Sequence, residues 1–243
     1  MTKKKATDEP QIVSLDTKQD ESFISTGISE IDQLVGGFAR GRITELWGAE
    51  GVGKTHTVSK VMAHTSKDHK VLYIDTEFAL NKERVAQLGA DTSNIDFIAD
   101  ARLERVCELL IANVGKYDLI ILDSLAYLTP LTVDNAEVGE NAIGLFSRLI
   151  KHWVVKFRPR LGTSKTAFVV INQYRKPIGL YVKAEPPGGT SWNHAVDVRL
   201  YLHRNASDKV IKNSQVVGHN VHVDVVKSKV SQPFKTTKYF VEY

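Results

Sequence analysis

A glycine-rich segment of eight residues constrains this chain more than any other part of its sequence. Gly48-Ala49-Glu50-Gly51-Val52-Gly53-Lys54-Thr55 fits the pattern G-x-x-x-x-G-K-[ST], follows a run typical of a buried strand and opens a helical pattern. In that context glycines let backbone N–H groups converge on phosphate oxygens at a helix N-terminus. The segment therefore predicts a nucleotide-phosphate site, in which Lys54 contacts the β- and γ-phosphates and the Thr55 hydroxyl binds Mg²⁺. The predicted nucleotide-binding residues here are Gly48, Ala49, Glu50, Gly51, Val52, Gly53, Lys54, Thr55 and His56.

Short β-branched runs alternate with helical patterns on both sides of this segment. Strands are predicted over 42–47, 71–75, 95–98, 119–123 and 167–172, and helices over 54–66, 81–89, 102–115 and 140–157. This alternation predicts an α/β fold with a mostly parallel central sheet flanked by helices. Beyond residue 172 the short alternating runs 198–203, 216–217, 221–226 and 238–242 predict a C-terminal antiparallel extension.

Composition bounds the class of protein and its compartment. The 243 residues are 42% hydrophobic and carry a net charge of +4, which is compatible with nucleic acid. Residues 22–243 predict one core domain and the polar residues 1–21 a flexible tail. No segment predicts a membrane span or a signal peptide, so a cytoplasmic location is expected. The single cysteine, Cys107, falls on the apolar face of a predicted helix and is interpreted as core.

Two acidic residues follow predicted strands and are candidates for the chemistry of this site. Asp123 ends the apolar run Leu119-Ile120-Ile121-Leu122, at the strand end where open α/β sheets bind ligands, and predicts a Mg²⁺ contact. Glu77 follows the strand 71–75, where a carboxylate can accept a proton from attacking water. A solvated loop glutamate is an equally good interpretation of Glu77 from the residues alone. His219 and His222 are three residues apart without further ligands, so no metal site is predicted there.

These motifs, with Ile74-Asp75-Thr76-Glu77-Phe78-Ala79-Leu80, resemble the RecA/RadA family of strand-exchange ATPases over residues 24–243, most closely its bacterial branch. The resemblance implies that Glu77 is the catalytic base and that Arg84 lies over adenine. The segment from Val170-Ile171-Asn172-Gln173 onward is similar to the strand that leads into the family's second DNA-binding loop. Gln173 would then sense the γ-phosphate. ATP and Mg²⁺ are the implied cofactors.

The resemblance also implies DNA contacts in two loops. Residues 128–144 look like the first loop and the start of the helix that follows it, and residues 173–189 look like the second loop. The implied DNA-binding residues are the apolar wedges Ile143 and Ile178, the arginines Arg148 and Arg175, and the glycine pair Gly188-Gly189. Outside the resemblance, the glycine pair is interpreted as an ordinary turn. Trp192 has two interpretations, packing at a helix start or stacking on a base, of which packing is favoured.

Val225-Val226-Lys227-Ser228-Lys229 is similar to the family segment whose two lysines reach ATP in the neighbouring subunit. Lys227 and Lys229 would therefore act across an interface in a homo-oligomer or filament. The sequence departs from the family at Asn193, where a lysine is usual, and in its second loop, which is two residues shorter than in the bacterial branch. The family's long N-terminal helix is also missing from the match, and Ile12-Val13-Ser14-Leu15 is a candidate docking strand instead.

Together these features and the resemblance predict a DNA-dependent ATPase that binds single-stranded DNA, assembles on it and promotes homologous pairing or strand exchange. Double-stranded DNA is a further candidate partner. Short members made only of the core, among phage recombination proteins and archaeal RadB-like proteins, suit the length. Two alternatives remain. The first is a mediator or annealing protein that binds ATP and DNA without strand exchange. The second is a hexameric helicase or a clock-type ATPase on the same core.

Overall fold

The computed structural model describes residues 22–134, 144–173 and 186–243. The predicted tail over residues 1–21, including the candidate docking strand at 12–15, lies outside the described residues. Within them, no helix is both long enough and apolar enough to cross a membrane.

One mixed sheet organises the described residues. It contains β3 (Ile43–Gly48), β4 (Val71–Asp75), β5 (Ile95–Ala99), β6 (Leu119–Asp123), β7 (Ala167–Gln173), β8 (Val198–His203), β9 (Lys209–Lys212), β10 (Gln215–Ser228) and β11 (Thr236–Glu242). The strand order is β11-β10-β8-β3-β7-β6-β4-β5, with β9 paired to β10. A separate antiparallel pair is formed by β1 (Phe23–Ile24) and β2 (Phe38–Ala39). The predicted α/β class, mostly parallel with an antiparallel C-terminal part, is confirmed.

The parallel part extends one strand further than predicted. β8 pairs in parallel with β3 and antiparallel with β10, so the antiparallel extension begins at β10 rather than at residue 198. A helix between β7 and β8 explains the difference, because parallel neighbours need a crossover connection. The two short runs predicted over 216–217 and 221–226 form the single 14-residue strand β10.

The helices flank the sheet in two layers. They are α1 (Ser29–Val35), α2 (Lys54–Thr65), α3 (Lys82–Gln87), α4 (Leu103–Asn113), α5 (Leu131–Asp134), α6 (Leu145–Gly162) and α7 (Gly189–Ala195). Helix α5 lies inside the first candidate loop, over residues 128–144, and α7 begins at the last residue of the second candidate loop, over residues 173–189. Cys107 of α4 is buried, as its apolar face predicted.

Helix α6 runs past the predicted end at residue 157. Pro159 lies inside the helix and removes one backbone donor, which is why the sequence suggests an earlier end. The last turn persists because Leu161 is fully buried and Arg158 is bound on both sides. The Arg158 guanidinium donates to the backbone oxygen of Gly41 at 2.8 Å and to the buried carboxylate of Asp197 at 2.8 Å.

Trp192 packs inside the protein, which confirms the favoured interpretation. Its side chain is fully buried in α7 and stacks on Trp153 of α6 with ring centroids 6.0 Å apart. Its indole Nε1 donates to Oε1 of the buried Glu45 at 2.6 Å. Asn172 donates to the same oxygen at 2.8 Å, and Arg199 pairs with the other oxygen. Trp192 therefore ties α7 to the strand that leads into the glycine-rich segment.

We predict that Trp192→Ala lowers the free energy of unfolding by about 3–5 kcal/mol, because it leaves a large cavity between α6 and α7. Urea denaturation measures this change. Tyr127→Ala, which truncates a half-exposed aromatic ring, serves as the control and is expected to change stability by roughly 1 kcal/mol or less. Unchanged stability in Trp192→Ala together with weaker single-stranded DNA binding would instead support the base-stacking interpretation.

Candidate nucleotide-binding site

The glycine-rich segment joins the end of β3 to the start of α2, as predicted. Gly48 is the last residue of β3, and a Cβ there would lie 2.2 Å from the backbone oxygen of Leu202 in β8. Gly53 caps α2 with φ of 104°, in the region that favours glycine. Both glycines are therefore required by the local backbone. The N-terminus of a 12-residue helix then faces the segment, as an anion site requires.

Lys54 and Thr55 open α2 inside the cradle. The Lys54 ammonium donates to the backbone oxygens of Gly48 at 3.0 Å and Ala49 at 2.8 Å. Burial lowers the pKa of Lys54, while the nearby carboxylates of Asp123 and Glu77 act in the opposite direction. The Thr55 hydroxyl donates to Oδ2 of Asp123 at 2.9 Å. The predicted Mg²⁺ contacts Thr55 and Asp123 therefore lie next to the predicted phosphate contact Lys54.

Asp123 is a buried carboxylate at the carboxyl end of β6. Its Oδ2 accepts hydrogen bonds from Thr55 and from the hydroxyl of Tyr73 at 2.8 Å, whereas its buried Oδ1 has no hydrogen-bond partner in the described part of the chain. Burial raises the pKa of Asp123 to about 6, opposed by these two hydrogen bonds and reinforced by the charges of Glu77 and Asp75. An unpaired buried carboxylate oxygen beside a phosphate cradle fits a hydrated cation.

Glu77 lies between the ends of β6 and β7. Its Oε1 accepts hydrogen bonds from the Ser124 hydroxyl at 2.7 Å and from the side-chain amide of Gln173 at 3.2 Å. These bonds argue against the alternative interpretation of Glu77 as a solvated loop residue. The direct contact with Gln173 joins the candidate base to the candidate γ-phosphate sensor.

Asp75 shapes the turn that carries Glu77, a role that the sequence motif did not assign. Its buried carboxylate accepts the backbone N–H groups of Glu77 at 3.0 Å, Ala79 at 2.9 Å and Leu80 at 2.9 Å. An aspartate two to five residues before the groups it caps is a local signal that could have identified this turn. The buried Tyr73 offered a second signal, because a tyrosine inside an apolar strand needs a partner for its hydroxyl.

The C-terminal hairpin of β10 and β11 forms a wall of the site that sequence reasoning missed. His219 is buried, and its Nε2 lies 3.2 Å from the backbone oxygen of Val52 in the cradle. Tyr239 shares a short hydrogen bond with Thr57 of α2, and the ring of Tyr243 lies 5.5 Å from that of His219. Only the long-range register of the hairpin brings these residues to the cradle, so no local pattern marked them.

His56 in the first turn of α2 lies beside Arg84 of α3. Arg84 Nη2 is 3.2 Å from Nδ1 of His56, and because guanidinium groups only donate, Nδ1 is the acceptor. Burial, together with the charges of Lys60, Arg84 and His219, lowers the pKa of His56 to about 4. The predicted adenine contact Arg84 and the predicted nucleotide contact His56 are thus adjacent.

One cavity of about 310 Å³ connects these groups. Residues from β6, β7, α3, the turn after β4, the cradle and the hairpin line it, among them Thr55, Glu77, Arg84, Asp123, Gln173 and Tyr243. The glycine cradle, the buried ammonium and the unpaired carboxylate oxygen fit a nucleoside triphosphate with Mg²⁺.

The candidate DNA contacts are only partly within the described residues. Ile143, Arg175 and Ile178 lie outside them. Arg148 is exposed in the first turn of α6, and Gly188-Gly189 begin α7. A Cβ on Gly189 would lie 3.0 Å from the Ser147 hydroxyl, so the glycine pair is adjacent to the turn that carries Arg148. The structure therefore brings these predicted contacts together where both candidate loops end.

Lys227 and Lys229 do not line the cavity of their own chain. Lys227 donates to the backbone oxygen of Asn193 at 2.7 Å, and Lys229 donates to that of His194 at 3.2 Å and lies 3.3 Å from Asp197. Burial, followed by the charges of Lys229 and Arg199, lowers the pKa of Lys227. Both lysines thus lie at the C-terminal end of α7, on a different surface from the cradle.

Comparison with known proteins gives a consistent picture. The chain matches the sequence model of the RecA N-terminal domain over residues 3–243. It is 33% identical over 234 residues to protein RecA of Streptomyces venezuelae, covering 93% of this chain and 61% of that relative. It is 34% identical over 242 residues to protein RecA of Helicobacter acinonychis, covering 96% of this chain and 69% of that relative. The chain thus spans less than two thirds of the length of the first of these relatives.

We predict that His56 makes the nucleotide-free protein less stable in acid. The unfolded chain takes up this proton with an ordinary pKa of about 6.5, whereas the folded pKa is about 4. Protonation of His56 in the unfolded chain therefore lowers the free energy of unfolding as pH falls from about 6.5 towards 4. His56→Asn should lose less stability than wild type between pH 7 and pH 5, measured by urea denaturation at both values. The comparison cancels the contribution of Asp123, whose raised pKa acts with the opposite sign. An exposed control, His152→Asn, should behave as wild type, and an identical loss in His56→Asn would contradict the prediction.

Proposed function

Because the chain belongs to the RecA family, whose members are P-loop ATPases, we propose that it is an ATP-dependent recombinase that assembles on single-stranded DNA. In this proposal the core over residues 22–243 hydrolyses ATP at subunit interfaces and promotes homologous pairing or strand exchange. The proposal includes double-stranded DNA as the second DNA partner and the cytoplasm as the location.

The single observation that carries the ATPase part is the convergence of four parallel strand ends. Thr55 follows β3, Glu77 follows β4, Asp123 ends β6 and Gln173 ends β7. Hydrogen bonds join them in two pairs, Thr55 to Asp123 at 2.9 Å and Gln173 to Glu77 at 3.2 Å. Such a constellation supports hydrolysis, because phosphoryl transfer depends mainly on positioning and on charge stabilisation.

Each residue of the site then has a defined task. The N–H groups of the cradle and the Lys54 ammonium bind the phosphates of ATP, and Thr55 and Asp123 hold Mg²⁺ through its ligand shell. Mg²⁺ supplies neutralisation of charge on the phosphates. Glu77 orients the attacking water and accepts its proton. Arg84 covers the adenine of ATP. Because Gln173 contacts Glu77 directly, a change in the position of Gln173 also alters the catalytic carboxylate of Glu77.

The DNA part of the proposal is supported by where the two candidate loops end. The segment 135–143 leads into α6 and the segment 174–185 leads to α7, and these two helices pack against each other through Trp153 and Trp192. Arg148 and the backbone N–H groups of Gly188 and Gly189 would bind DNA phosphates, which gives salt-dependent affinity without sequence preference. Ile143, Arg175 and Ile178 are proposed as the wedges and the backbone contact of the same surface.

Assembly is proposed to complete the site. Lys227 and Lys229 lie away from the cradle of their own chain, so they are available to the ATP of a neighbouring subunit. Their backbone partners, Asn193 and His194, belong to α7, which follows the second candidate loop. DNA bound at that loop would therefore affect how the lysines reach across the interface.

We predict that single-stranded DNA stimulates steady-state ATP hydrolysis and that Lys54→Ala abolishes it. Loss of the ammonium removes a contact to the transferred phosphate, so the rate falls by at least about 10²-fold. Lys60→Ala, in the same helix but outside the cradle, is the matched control and should keep both rate and stimulation. ATP binding without hydrolysis in either condition would contradict a recombinase and favour a mediator. Closed hexamers without DNA would favour a helicase or a clock-type ATPase.

A further inference from the structure

We infer that Ser124 is a positioning residue for ATP hydrolysis: its hydroxyl holds Oε1 of Glu77 so that Oε2 remains to accept the proton of the attacking water. The inference rests on the proposed role of Glu77 as the base. It adds a residue that the family motif did not assign, and it gives the two oxygens of Glu77 different tasks.

Hydrogen bonds to other groups hold Ser124 in place, independently of its contact with Glu77. The residue is fully buried immediately after β6, and its backbone N–H donates to the hydroxyl of Thr76 at 2.7 Å. The same Thr76 hydroxyl donates to the backbone oxygen of Ser124 at 2.8 Å. Since Thr76 directly precedes Glu77, these two bonds hold the serine and the turn of the base at a constant separation. A third bond, from the Thr76 N–H to the backbone oxygen of Asp123 at 2.7 Å, strengthens the same link.

The two hydrogen bonds to Oε1 differ in kind. The Ser124 hydroxyl donates at 2.7 Å from a residue inside the fold, and the Gln173 amide donates at 3.2 Å from the last residue of β7. Gln173 is the first residue of the second candidate loop, so its contact is the one that a ligand can change. Ser124 supplies the contact that persists when Gln173 turns towards another partner.

The other oxygen of the carboxylate is left for chemistry. Among the described residues, no side chain or backbone group donates a hydrogen bond to Oε2, whereas Oε1 accepts two. A carboxylate held at one oxygen keeps its orientation, and its second oxygen accepts a proton with little rearrangement.

Ser124→Ala tests this role. With single-stranded DNA present, kcat for ATP hydrolysis should fall by roughly 10- to 100-fold, as expected for a misplaced catalytic group. KM for ATP should stay within about twofold of wild type, because Ser124 makes no contact with the phosphate cradle.

Ser66→Ala is the matched control. Ser66 is equally buried, and its hydroxyl donates to the backbone oxygen of Ala63 and accepts the N–H of Asp91 at the other end of α2. Ser66→Ala should lose stability without a change in kcat. A merely structural Ser124 would give the same result as Ser66. If Ser124→Ala does not fold, Ser124→Cys, a weaker donor of similar size, carries the same measurements with a smaller expected loss.

Measurements in a Glu77→Gln background separate the inference from the proposed function. If Glu77→Gln is slow and Ser124→Ala lowers its residual rate no further, the serine acts through the base and the inference holds. A slow Glu77→Gln variant together with a Ser124→Ala variant of normal kcat overturns the role of Ser124 alone. A Glu77→Gln variant as fast as wild type overturns the proposed base, and the role of Ser124 falls with it.

Discussion

The carboxylate of Asp123 is bound from two elements at once, and the rest of the site depends on this arrangement. The Thr55 hydroxyl reaches it from the first turn of α2, and the Tyr73 hydroxyl reaches it from the neighbouring strand β4. These bonds fix the phosphate cradle relative to the strand ends that carry the acidic side chains. They also leave Oδ1 buried without a hydrogen-bond partner among the described residues, close to the charges of Asp75 and Glu77. Such concentrated negative charge at low exposure is unfavourable by itself and is relieved by a cation.

The strand order explains how the cradle is connected to the loops. β7 lies between β3 and β6, and Gln173 at its end pairs with Gly48, the first residue of the glycine-rich segment. The preceding residue, Asn172, is bound to Glu45 of β3 and to the backbone oxygen of Pro187, on the far side of the second candidate loop. Asn172 therefore holds both ends of that loop and is itself bound to β3, the strand that leads into the cradle. A short series of hydrogen bonds therefore connects this loop to Glu77.

Local patterns predicted the parallel core with few errors because its strands are short, apolar and separated by helices. The boundaries of β4 and β6 and the positions of Lys54, Glu77 and Asp123 follow from such patterns. The direction of β8 could not be predicted, because its alternating pattern fits either a parallel or an antiparallel neighbour. The continuation of α6 through Pro159 depends on Asp197, which lies 39 residues beyond Arg158. His219 and Tyr243 reach the cradle only through strand register, which no local signal encodes.

The central claim is that DNA binding alters ATP hydrolysis through the contact between Gln173 and Glu77. The most direct measurement is the ratio of ATPase rates with and without single-stranded DNA in Gln173→Ala. Gln33→Ala, an exposed glutamine of α1, is the control. The claim predicts that Gln173→Ala loses its stimulation by single-stranded DNA whatever its basal rate, while Gln33→Ala is stimulated as wild type. Stimulation of Gln173→Ala by the same factor as wild type would contradict it.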